Sequence, residues 1–403
     1  MIVFDSSSLS AISHVRNVTS VISVITQQLS LSRSEGIKEP RANSLGTLSQ
    51  EPSGTKRTLT AQAITNNSKC GSGQSRDKNM WPFACDSIWN VPIGANANYV
   101  DAYIGSKGIG VDTEWYITTK DSDPAVSTYM PPTFSSGRCS GTIPQQQAQW
   151  HPEASQLMKV PYNLIIPDAT TTYTPNGSSA FLKPDGRTLV SFTTTTRCQQ
   201  GGPLYSNWFG QQDIYGDGIE GGHGGSGMSS IGGSIRPGEL INDIPIRHAL
   251  KIDIWGKWLH YNPSSPTPGH RWPAPLADTN APNQYQGSNP ALVMGSLLAI
   301  PPNVTAQSLG LTSKVGQKIF QAMQNYGAYI VDDSGWDYNY LCVEQSAEVE
   351  YSTVTGHDLY NDAAVQADFT KIIANVKVVN NNGANSIGGG GSPRQPLPPP
   401  IGN

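Results

Sequence analysis

Glycine and proline interrupt this sequence so often that few segments between them are long enough for a helix of several turns. The 403 residues include 41 glycines and 30 prolines, which favour turns and weaken the interiors of helices and strands. Several segments between the turns are short and rich in β-branched or aromatic residues, as in residues 187–196. The pattern predicts a mainly β protein of many short strands, with helices only where a longer uninterrupted segment remains.

The clearest strand signal lies in residues 246–255, where apolar and polar side chains alternate. Alternation with a period of two places the apolar side chains on one face of a strand and the polar ones on the other. Arg247, Lys251 and Asp253 share the second face. We expect that face to be solvated.

Two segments have apolar residues at helical spacing. Thr312 or Ser313 can cap the first, which Gly327 ends, and the second covers residues 362–375. A buried strand is predicted directly after the first helix, at 328–331. Many strands, two decorating helices and long Gly/Pro-rich loops favour a jelly-roll-type β-sandwich. A parallel β-helix is the alternative fold, although the spacing of the turns is irregular.

Three regions differ in composition. Residues 1–78 contain nine basic and five acidic residues and a single aromatic residue, Phe4. With so little apolar surface to bury, this region is predicted to be a disordered leader or propeptide-like segment. Residues 79–387 are predicted to form a single β-rich globular domain. Residues 388–403 are predicted to form a Gly/Pro-rich C-terminal tail.

The charge pattern bears on location and partners. Only 14% of the residues are charged and the formal net charge is −4, so no basic field attracts nucleic acid or an anionic membrane. No apolar run approaches the length of a membrane span. The low charge and the many turn residues are typical of a secreted protein, although residues 1–30 do not form a standard signal peptide. The sequence leaves the oligomeric state open.

The five cysteines form no CxxC pair, which argues against a zinc ribbon or a redox motif. Cys85, Cys139, Cys198 and Cys342 lie in the predicted domain and can form two disulfides in three ways, with Cys70 left unpaired. Some of these cysteines can equally be buried thiols.

The most promising candidate site is the segment 212–248, where acidic, basic and histidine residues concentrate in a chain that is otherwise poor in charge. Glycines flank His223, so a substrate could approach it closely. The candidate catalytic residues are Asp217, Glu220, His223, Glu239 and His248. The candidate substrate-binding residues are Arg236, Arg247, Trp208 and Trp272.

Two chemistries would use these residues. In glycoside hydrolysis, one carboxyl group protonates the leaving oxygen and a second stabilises or attacks the anomeric carbon, as Glu220 could do with Asp217 or Glu239. In β-elimination from a uronic-acid polymer, a histidine removes a proton and an arginine neutralises the substrate carboxylate. The structural alternative is that the glycines form an ordinary loop and that His248 is a hydrogen-bonded core residue.

Other site types fit poorly. The segment around His223 lacks the Gly-Lys-Ser/Thr of a phosphate-binding loop, and the chain contains no HExxH zinc motif. A nucleophile elbow needs glycine two residues before and two residues after its serine, and Met228 stands at the second of these positions around Ser226. We therefore expect no cofactor and no metal.

Several blocks of the sequence are specific when taken together. They are GGHGGSG (221–227), IRPGEL (235–240), PIRHAL (245–250), RWPA (271–274), NPALxMGSLLAIP (289–301) and YGAYIVDD (326–333). In these blocks the chain resembles a largely uncharacterised group of secreted β-rich proteins. The resemblance covers most of residues 79–400 and implies one domain and a secreted location. It implies no catalytic role for any residue.

The expected function is that of a secreted enzyme acting on a polysaccharide or other glycan, most simply a glycoside hydrolase with paired carboxylates. A polysaccharide lyase with a histidine base and an arginine neutraliser is the second hypothesis. The third is a non-catalytic glycan-binding or structural extracellular protein. The arrangement of the side chains in space separates these hypotheses.

Overall fold

One large mixed sheet dominates the structure, a computed structural model that describes residues 69–105, 108–140, 157–170 and 175–402. The strands in these ranges are β1 (Tyr99–Asp101), β2 (Ile109–Thr118), β3 (Ala125–Val126), β4 (Thr128–Tyr129), β5 (Met158–Lys159), β6 (Ser179–Leu182), β7 (Thr188–Thr193), β8 (Leu204–Tyr205), β9 (Trp208–Asp213), β10 (Leu250–Trp255), β11 (Leu297–Ala299), β12 (Ala328–Ser334), β13 (Asn339–Glu344) and β14 (Lys377–Val379). Ten of them form the sheet in the order β1-β14-β11-β12-β10-β13-β2-β6-β7-β9. The pairs β3–β5 and β4–β8 form two small sheets.

The prediction of a mainly β protein is confirmed, whereas the jelly-roll arrangement is not. Strand β10 pairs in parallel with β12, and β2 pairs in parallel with both β13 and β6. Parallel neighbours need a crossover connection instead of a tight hairpin. The connection from β10 to β12 contains a helix, and the result is one mixed sheet of ten strands.

Four α-helices lie in the described ranges, namely α1 (Ala281–Gln284), α2 (Lys314–Asn325), α3 (Gln345–Thr355) and α4 (Ala363–Ile373). The two predicted helices correspond to α2 and α4. The Ser313 hydroxyl caps α2 by accepting a hydrogen bond from the Gly316 amide, and the Asp362 carboxylate caps α4. Helices α1 and α3 were not predicted. The predicted strand after α2 is present as β12.

One face of the sheet packs in the main hydrophobic core. Ile252 of β10 and Leu341 of β13 are buried there, in one cluster with Ile319 of α2 and Phe369 of α4. A second, smaller core that includes Phe192 lies where β6, β7 and β9 extend the sheet. The apolar faces of α2 and α4 thus both pack against the apolar side chains of the central strands.

The opposite face of the central strands is polar and nevertheless buried. Register places Cys342 of β13 opposite Asp112 of β2, and alternation places Lys251 and Asp253 on this same face. Lys251 is fully buried and Asp253 is 3% exposed. The prediction of a solvated face for these two residues is therefore wrong, because another part of the chain covers it. Arg247, just before the strand, is exposed as predicted.

A β-bulge brings one more acid to the polar face. The pairing of β10 with β12 shifts between Ile252 and Asp253, so that Val331 has no opposite residue and Asp332 pairs with Asp253. A bulge changes which side of the sheet the following side chains occupy. The Val331 carbonyl accepts a hydrogen bond from the Ser226 amide of the glycine-rich segment.

The glycine-rich segment 221–235 is the part of the chain that covers the polar face. Its Gly233 carbonyl accepts from the Lys251 amide, and its Ile235 amide donates to the Cys342 carbonyl. Glycine is required where the backbones come this close. A Cβ at Gly233 would lie 2.6 Å from the ring of Trp89 and 2.7 Å from Cγ of Lys251.

Residues 70–76 pack against residues 397–402. In the described ranges the folded body therefore begins before the boundary expected at 79 and continues beyond the boundary expected at 387. The Gly71 amide donates to the Pro398 carbonyl, and the buried Arg76 guanidinium donates to the Pro399 carbonyl. Of the leader predicted for 1–78, residues 1–68 lie outside the described residues.

The disulfides pair Cys70 with Cys85 and Cys139 with Cys198. The expectation that Cys70 stays unpaired is wrong, because packing of its segment on the body brings its Cα to 5.4 Å from that of Cys85. Cys342 is a buried free thiol. Two disulfides are compatible with an extracellular protein. In the described ranges, no helix combines the length and the apolar character needed to cross a membrane.

We expect Gly233→Ala to destabilise the protein more than Gly356→Ala. Both glycines have a positive φ, at 78° and 76°, but a Cβ at Gly356 would meet nothing within 4 Å. The backbone strain should cost about 1–2 kcal/mol in both variants, and the clash with Trp89 should add about 1–3 kcal/mol for Gly233→Ala. Urea unfolding of the two variants measures the difference. Equal losses would show that the segment does not pack closely on Trp89.

Candidate functional site

A carboxylate without access to water lies at the centre of the polar face. Glu114 of β2 is 1% exposed. Its Oε1 lies 2.5 Å from Lys251 Nζ and 3.1 Å from His223 Nε2, and its Oε2 accepts a hydrogen bond from the Ser234 hydroxyl. Burial alone would raise the pKa of Glu114, but Lys251 and His223 together hold it below its usual value. This group is therefore ionised in spite of its burial.

His223 reaches this carboxylate from the glycine-rich segment. Its amide donates to the Met228 carbonyl, and its own carbonyl accepts from the Gly227 amide, so a tight turn fixes the backbone. The ring nitrogen Nδ1 lies 3.2 Å from the Gly224 carbonyl oxygen. A carbonyl oxygen only accepts hydrogen bonds, so Nδ1 carries a hydrogen and donates it. The contact leaves Nε2 to face Glu114.

Three further ionisable groups complete the buried cluster. Burial raises the pKa of Asp112 to about 6, and it raises the pKa of Asp253 as well, which the charge of Asp112 reinforces. Burial, followed by the nearby charge of Asp253, also raises the pKa of the Cys342 thiol. Reactive cysteines have a depressed pKa and some exposure. Cys342 has neither, which argues against nucleophilic catalysis by this thiol.

A second group of carboxyls lies nearer to solvent. One oxygen each of Asp278, Asp332 and Asp333 lies within 4.8 Å of the others. Asp332 is buried and its Oδ2 is 3.9 Å from His223 Nδ1, whereas Asp278 and Asp333 are half-buried. This outer group is the part of the acidic region that a molecule in solution can approach.

The carboxyl groups of Asp278 and Asp333 lie close enough for each to influence the pKa of the other. Burial raises the pKa of Asp333 to about 8, with Asp278 as the second cause. Burial likewise raises the pKa of Asp278, although the Tyr285 hydroxyl, which donates to its Oδ2 at 2.5 Å, opposes the effect. Two carboxyls this close cannot both ionise easily. The pair therefore holds a proton that it can give to a bound molecule.

Two tryptophans lie close to Asp333 in the sheet or along the chain. Trp255 at the end of β10 pairs with Ser334, the residue after Asp333, and it is half-buried. Trp336 follows in the turn after β12 and is 54% exposed, with its indole N–H donating to the Tyr340 hydroxyl. Flat exposed rings of this kind can stack on the apolar faces of sugars.

The structure distributes the predicted catalytic residues over several places. Only His223 belongs to the buried cluster. Asp217 and Glu220 are exposed and lie outside it, and Glu220 forms an isolated β-bridge with Met228. His248 Nε2 and Glu239 lie 3.1 Å apart in a separate pair. Burial lowers the pKa of His248, but the charge and hydrogen bond of Glu239 and the hydrogen bond to the Ala249 carbonyl together outweigh burial, and the net shift is upward.

The predicted substrate-binding residues are also separated. Arg236 is 2% exposed, with Nη1 lying 3.1 Å from Glu344 Oε2 and its guanidinium over the ring of Tyr116. Trp208 is 47% exposed at the start of the edge strand β9, and Trp272 is half-buried against the main core. These positions assign Arg236 a packing role in this structure.

Two cavities lie away from the carboxyl groups. One, of about 10 Å³, is lined by residues that include Arg236 and His248, and it has room for about one water molecule. The other is a surface groove of about 710 Å³, lined by residues that include Tyr99, Tyr103 and Asn289. Of these two cavities, the groove is the one large enough for a sugar ring.

The sequence did not indicate the acidic residues of the buried cluster or those of the outer group. Asp112 and Glu114 alternate with polar and aromatic residues in β2, a pattern that is typical of a solvated strand face. Asp332 and Asp333 end the YGAYIVDD block directly after a buried apolar run, and this was the usable signal. Acids that end a buried strand often lie at a functional edge of a sheet.

No protein-family model, curated protein or solved structure matches this chain. The geometry of its own side chains carries the argument for function.

We expect Arg236→Met to destabilise the protein by about 3–5 kcal/mol, because it leaves the buried Glu344 carboxylate without its partner. Arg247→Met is the matched control, since Arg247 is exposed and should change stability little. Chemical unfolding of both variants measures the effect. If both variants were as stable as the wild type, the buried pair would not contribute to the fold.

We expect Asp333→Asn to reduce the dependence of stability on pH. A carboxyl whose pKa is higher in the folded protein than in the unfolded chain stabilises the fold at low pH, and it loses that contribution as the pH rises toward 8. Between pH 5 and pH 9 the wild type should lose about 1–4 kcal/mol more than the variant. Unfolding at both pH values tests this. Asp121→Asn, at an exposed aspartate, should behave as the wild type, and parallel profiles for all three proteins would contradict the assignment.

Proposed function

We propose that the protein is a secreted hydrolase of neutral polysaccharides in which Asp278 and Asp333 perform the chemistry. The observation that carries the proposal is the half-buried Asp278–Asp333 carboxyl pair. Trp255, which pairs with Ser334, and Trp336 lie close to Asp333 in the sheet or along the chain. The residues differ from the carboxylates that the sequence suggested, while the class of reaction is the same. The two disulfides support an extracellular location.

The two carboxyls take different roles in the proposed reaction. Asp333 donates its proton to the glycosidic oxygen as the bond to the anomeric carbon breaks. Asp278, which the Tyr285 hydroxyl orients, attacks that carbon and forms a glycosyl ester. Asp333 then takes a proton from water, whose oxygen attacks the anomeric carbon and releases Asp278. The pair returns to its initial protonation state.

The separation of the carboxyls favours retention of configuration at the anomeric carbon. Retaining glycosidases hold their two carboxyls about 5–5.5 Å apart, whereas inverting enzymes need about 6.5–9.5 Å to admit a water molecule. In this protein one oxygen of Asp278 lies within 4.8 Å of one oxygen of Asp333. That spacing is too short for a water molecule between the two oxygens, which an inverting enzyme needs.

The charge of the region favours a neutral substrate over a uronic-acid polymer. Asp278, Asp332 and Asp333 lie together, and Asp253 lies next to Asp332 in the sheet. A uronic acid would place another carboxylate beside carboxyls that already cannot all ionise, which disfavours its binding. A lyase would need a histidine and an arginine with room for a uronic acid, and His248 and Arg236 meet at a cavity of only about 10 Å³.

A non-catalytic glycan-binding protein is the second candidate, and the surface groove favours it. Tyr103 is 75% exposed there and has a positive φ of 56°. Tyr99, Asn289 and Lys377 add an aromatic ring and polar groups to the lining. This combination of stacking and hydrogen-bonding groups is what glycan recognition requires.

A screen of the full-length protein against neutral and uronic-acid polysaccharides tests the proposal. New reducing ends without unsaturated products, and a product that keeps its anomeric configuration, are expected. Asp333→Asn and Asp278→Asn should each reduce kcat at least ~100-fold, while Asp121→Asn should have the activity of the wild type.

Unsaturated products would instead identify a lyase. Binding without any product, lost in Tyr103→Ala but kept in Asp333→Asn, would identify a binding protein that uses the groove. Either result would overturn the hydrolase proposal.

A further inference from the structure

Four side chains of the buried cluster present the donor atoms that transition metals prefer. One donor atom each of Asp112, Glu114, His223 and Cys342 lies within 4.8 Å of the other three. His223 Nε2 is 3.1 Å from Glu114 Oε1 and 4.0 Å from Cys342 Sγ. Ligands on one tetrahedral zinc ion lie about 3.3–3.5 Å apart, given bond lengths of about 2.0 Å to nitrogen or oxygen and about 2.3 Å to sulfur. Small side-chain movements would therefore bring all four donors to one ion.

The tautomer of His223 is the one that a metal ligand needs. A ligating histidine almost always donates its other ring N–H to a carbonyl or a carboxylate. Here Nδ1 contacts the Gly224 carbonyl at 3.2 Å, with Asp332 Oδ2 at 3.9 Å, and Nε2 faces the other donors. The hydrogen bond of Nδ1 thus points Nε2 into the cluster, and a metal ion there would displace the proton that Nε2 shares with the Glu114 carboxylate.

An unused acceptor provides an independent indication of a missing cation. Asp112 is only 6% exposed and its Oδ2 makes no hydrogen bond of ordinary geometry with the described residues, although the Asn176 side chain interacts with the carboxyl group. A buried carboxylate oxygen without a donor is costly. It lies in a cluster where Asp112, Glu114 and Asp253 face one buried lysine, Lys251. Positive charge is what this cluster lacks.

We propose that Asp112, Glu114, His223 and Cys342 bind one zinc ion with a structural role. The mixed nitrogen, sulfur and oxygen donor set suits Zn²⁺ better than Ca²⁺ or Mg²⁺, which prefer oxygen alone. Four protein ligands close the coordination sphere and leave no position for a substrate. The Cys342 thiol loses its proton to solvent when the Zn–S bond forms. Lys251 retains its hydrogen bond to the Ser229 carbonyl, at 3.2 Å.

The site also connects parts of the chain that are far apart in sequence. Its ligands come from β2, the glycine-rich segment 221–235 and β13. All four side chains are buried, so the ion would enter as the chain folds and would exchange slowly afterwards. Zinc would thereby attach the glycine-rich segment to the sheet that it covers. This inference does not depend on the proposed hydrolase activity.

Metal content and cobalt spectroscopy of the full-length protein test the site. The protein is unfolded in guanidinium chloride with EDTA and its disulfides intact, then refolded with Zn²⁺, with Co²⁺ or with EDTA alone. We expect one equivalent of metal per chain and a higher Tm with Zn²⁺ than with EDTA. The Co²⁺ form should show a thiolate-to-cobalt charge-transfer band in the near ultraviolet, which reports Cys342 directly.

Three variants separate this site from other metal binding. Cys342→Ser should lose the charge-transfer band, and Asp112→Asn should keep it with at least ~10-fold weaker Co²⁺ affinity. Asp121→Asn, at an exposed carboxylate, should match the wild type. Circular dichroism verifies that each variant refolds.

Two results would overturn the proposal. One is a wild-type protein that binds far less than one equivalent of metal and has the same Tm with Zn²⁺ and with EDTA. The other is a cobalt band that persists in Cys342→Ser, which would mean that the metal binds elsewhere. Because both readouts are independent of catalysis, they also separate a failure of the zinc site from a failure of the hydrolase proposal.

Discussion

The burial of the Glu114 carboxylate is the constraint on which the rest of this structure depends. An ion without water must be neutralised by its neighbours, and here Lys251, His223 and Ser234 surround it. Lys251 comes from a different strand, and His223 and Ser234 come from the segment that covers the sheet. The carboxylate can be satisfied only when these parts have assembled. The polar face therefore specifies the position of the glycine-rich segment, as the apolar face specifies the positions of the helices.

Local signals in the sequence were sufficient for the β content and for two of the four α-helices in the described ranges. Ser313 caps α2 as the sequence pattern predicts, because a cap depends on residues within one turn. The second predicted helix starts at Asp362, whose side chain caps α4. The alternation in β10 also gave the right division into two faces. It could not give the environment of the second face, because period-two patterning does not state what covers a strand. Lys251 and Asp253 were assigned to solvent for that reason.

The site was harder to predict than the fold, since its residues come from distant segments. Asp278 lies in a loop before α1, and Asp333 lies near the end of β12, 55 positions later. The acids grouped from the sequence are neighbours along the chain, and of these Asp217 and Glu220 are exposed and lie outside both acidic clusters. Parallel pairing and a bulge determine which acids meet. Neither feature can be read from a short window of residues.

Cys342 has a consequence for the order in which the protein matures. Four of the five cysteines form disulfides, and the fifth, Cys342, has no disulfide partner. While the chain is open, this thiol can attack the forming bonds and exchange partners with them. Once β13 is in the sheet and the glycine-rich segment lies over it, neither an oxidant nor another thiol can reach the sulfur. In an oxidising compartment, assembly of the central sheet would thus protect Cys342 from oxidation. Molecules in which the sheet has not assembled would keep an exposed thiol and could form wrong disulfides or cross-linked aggregates.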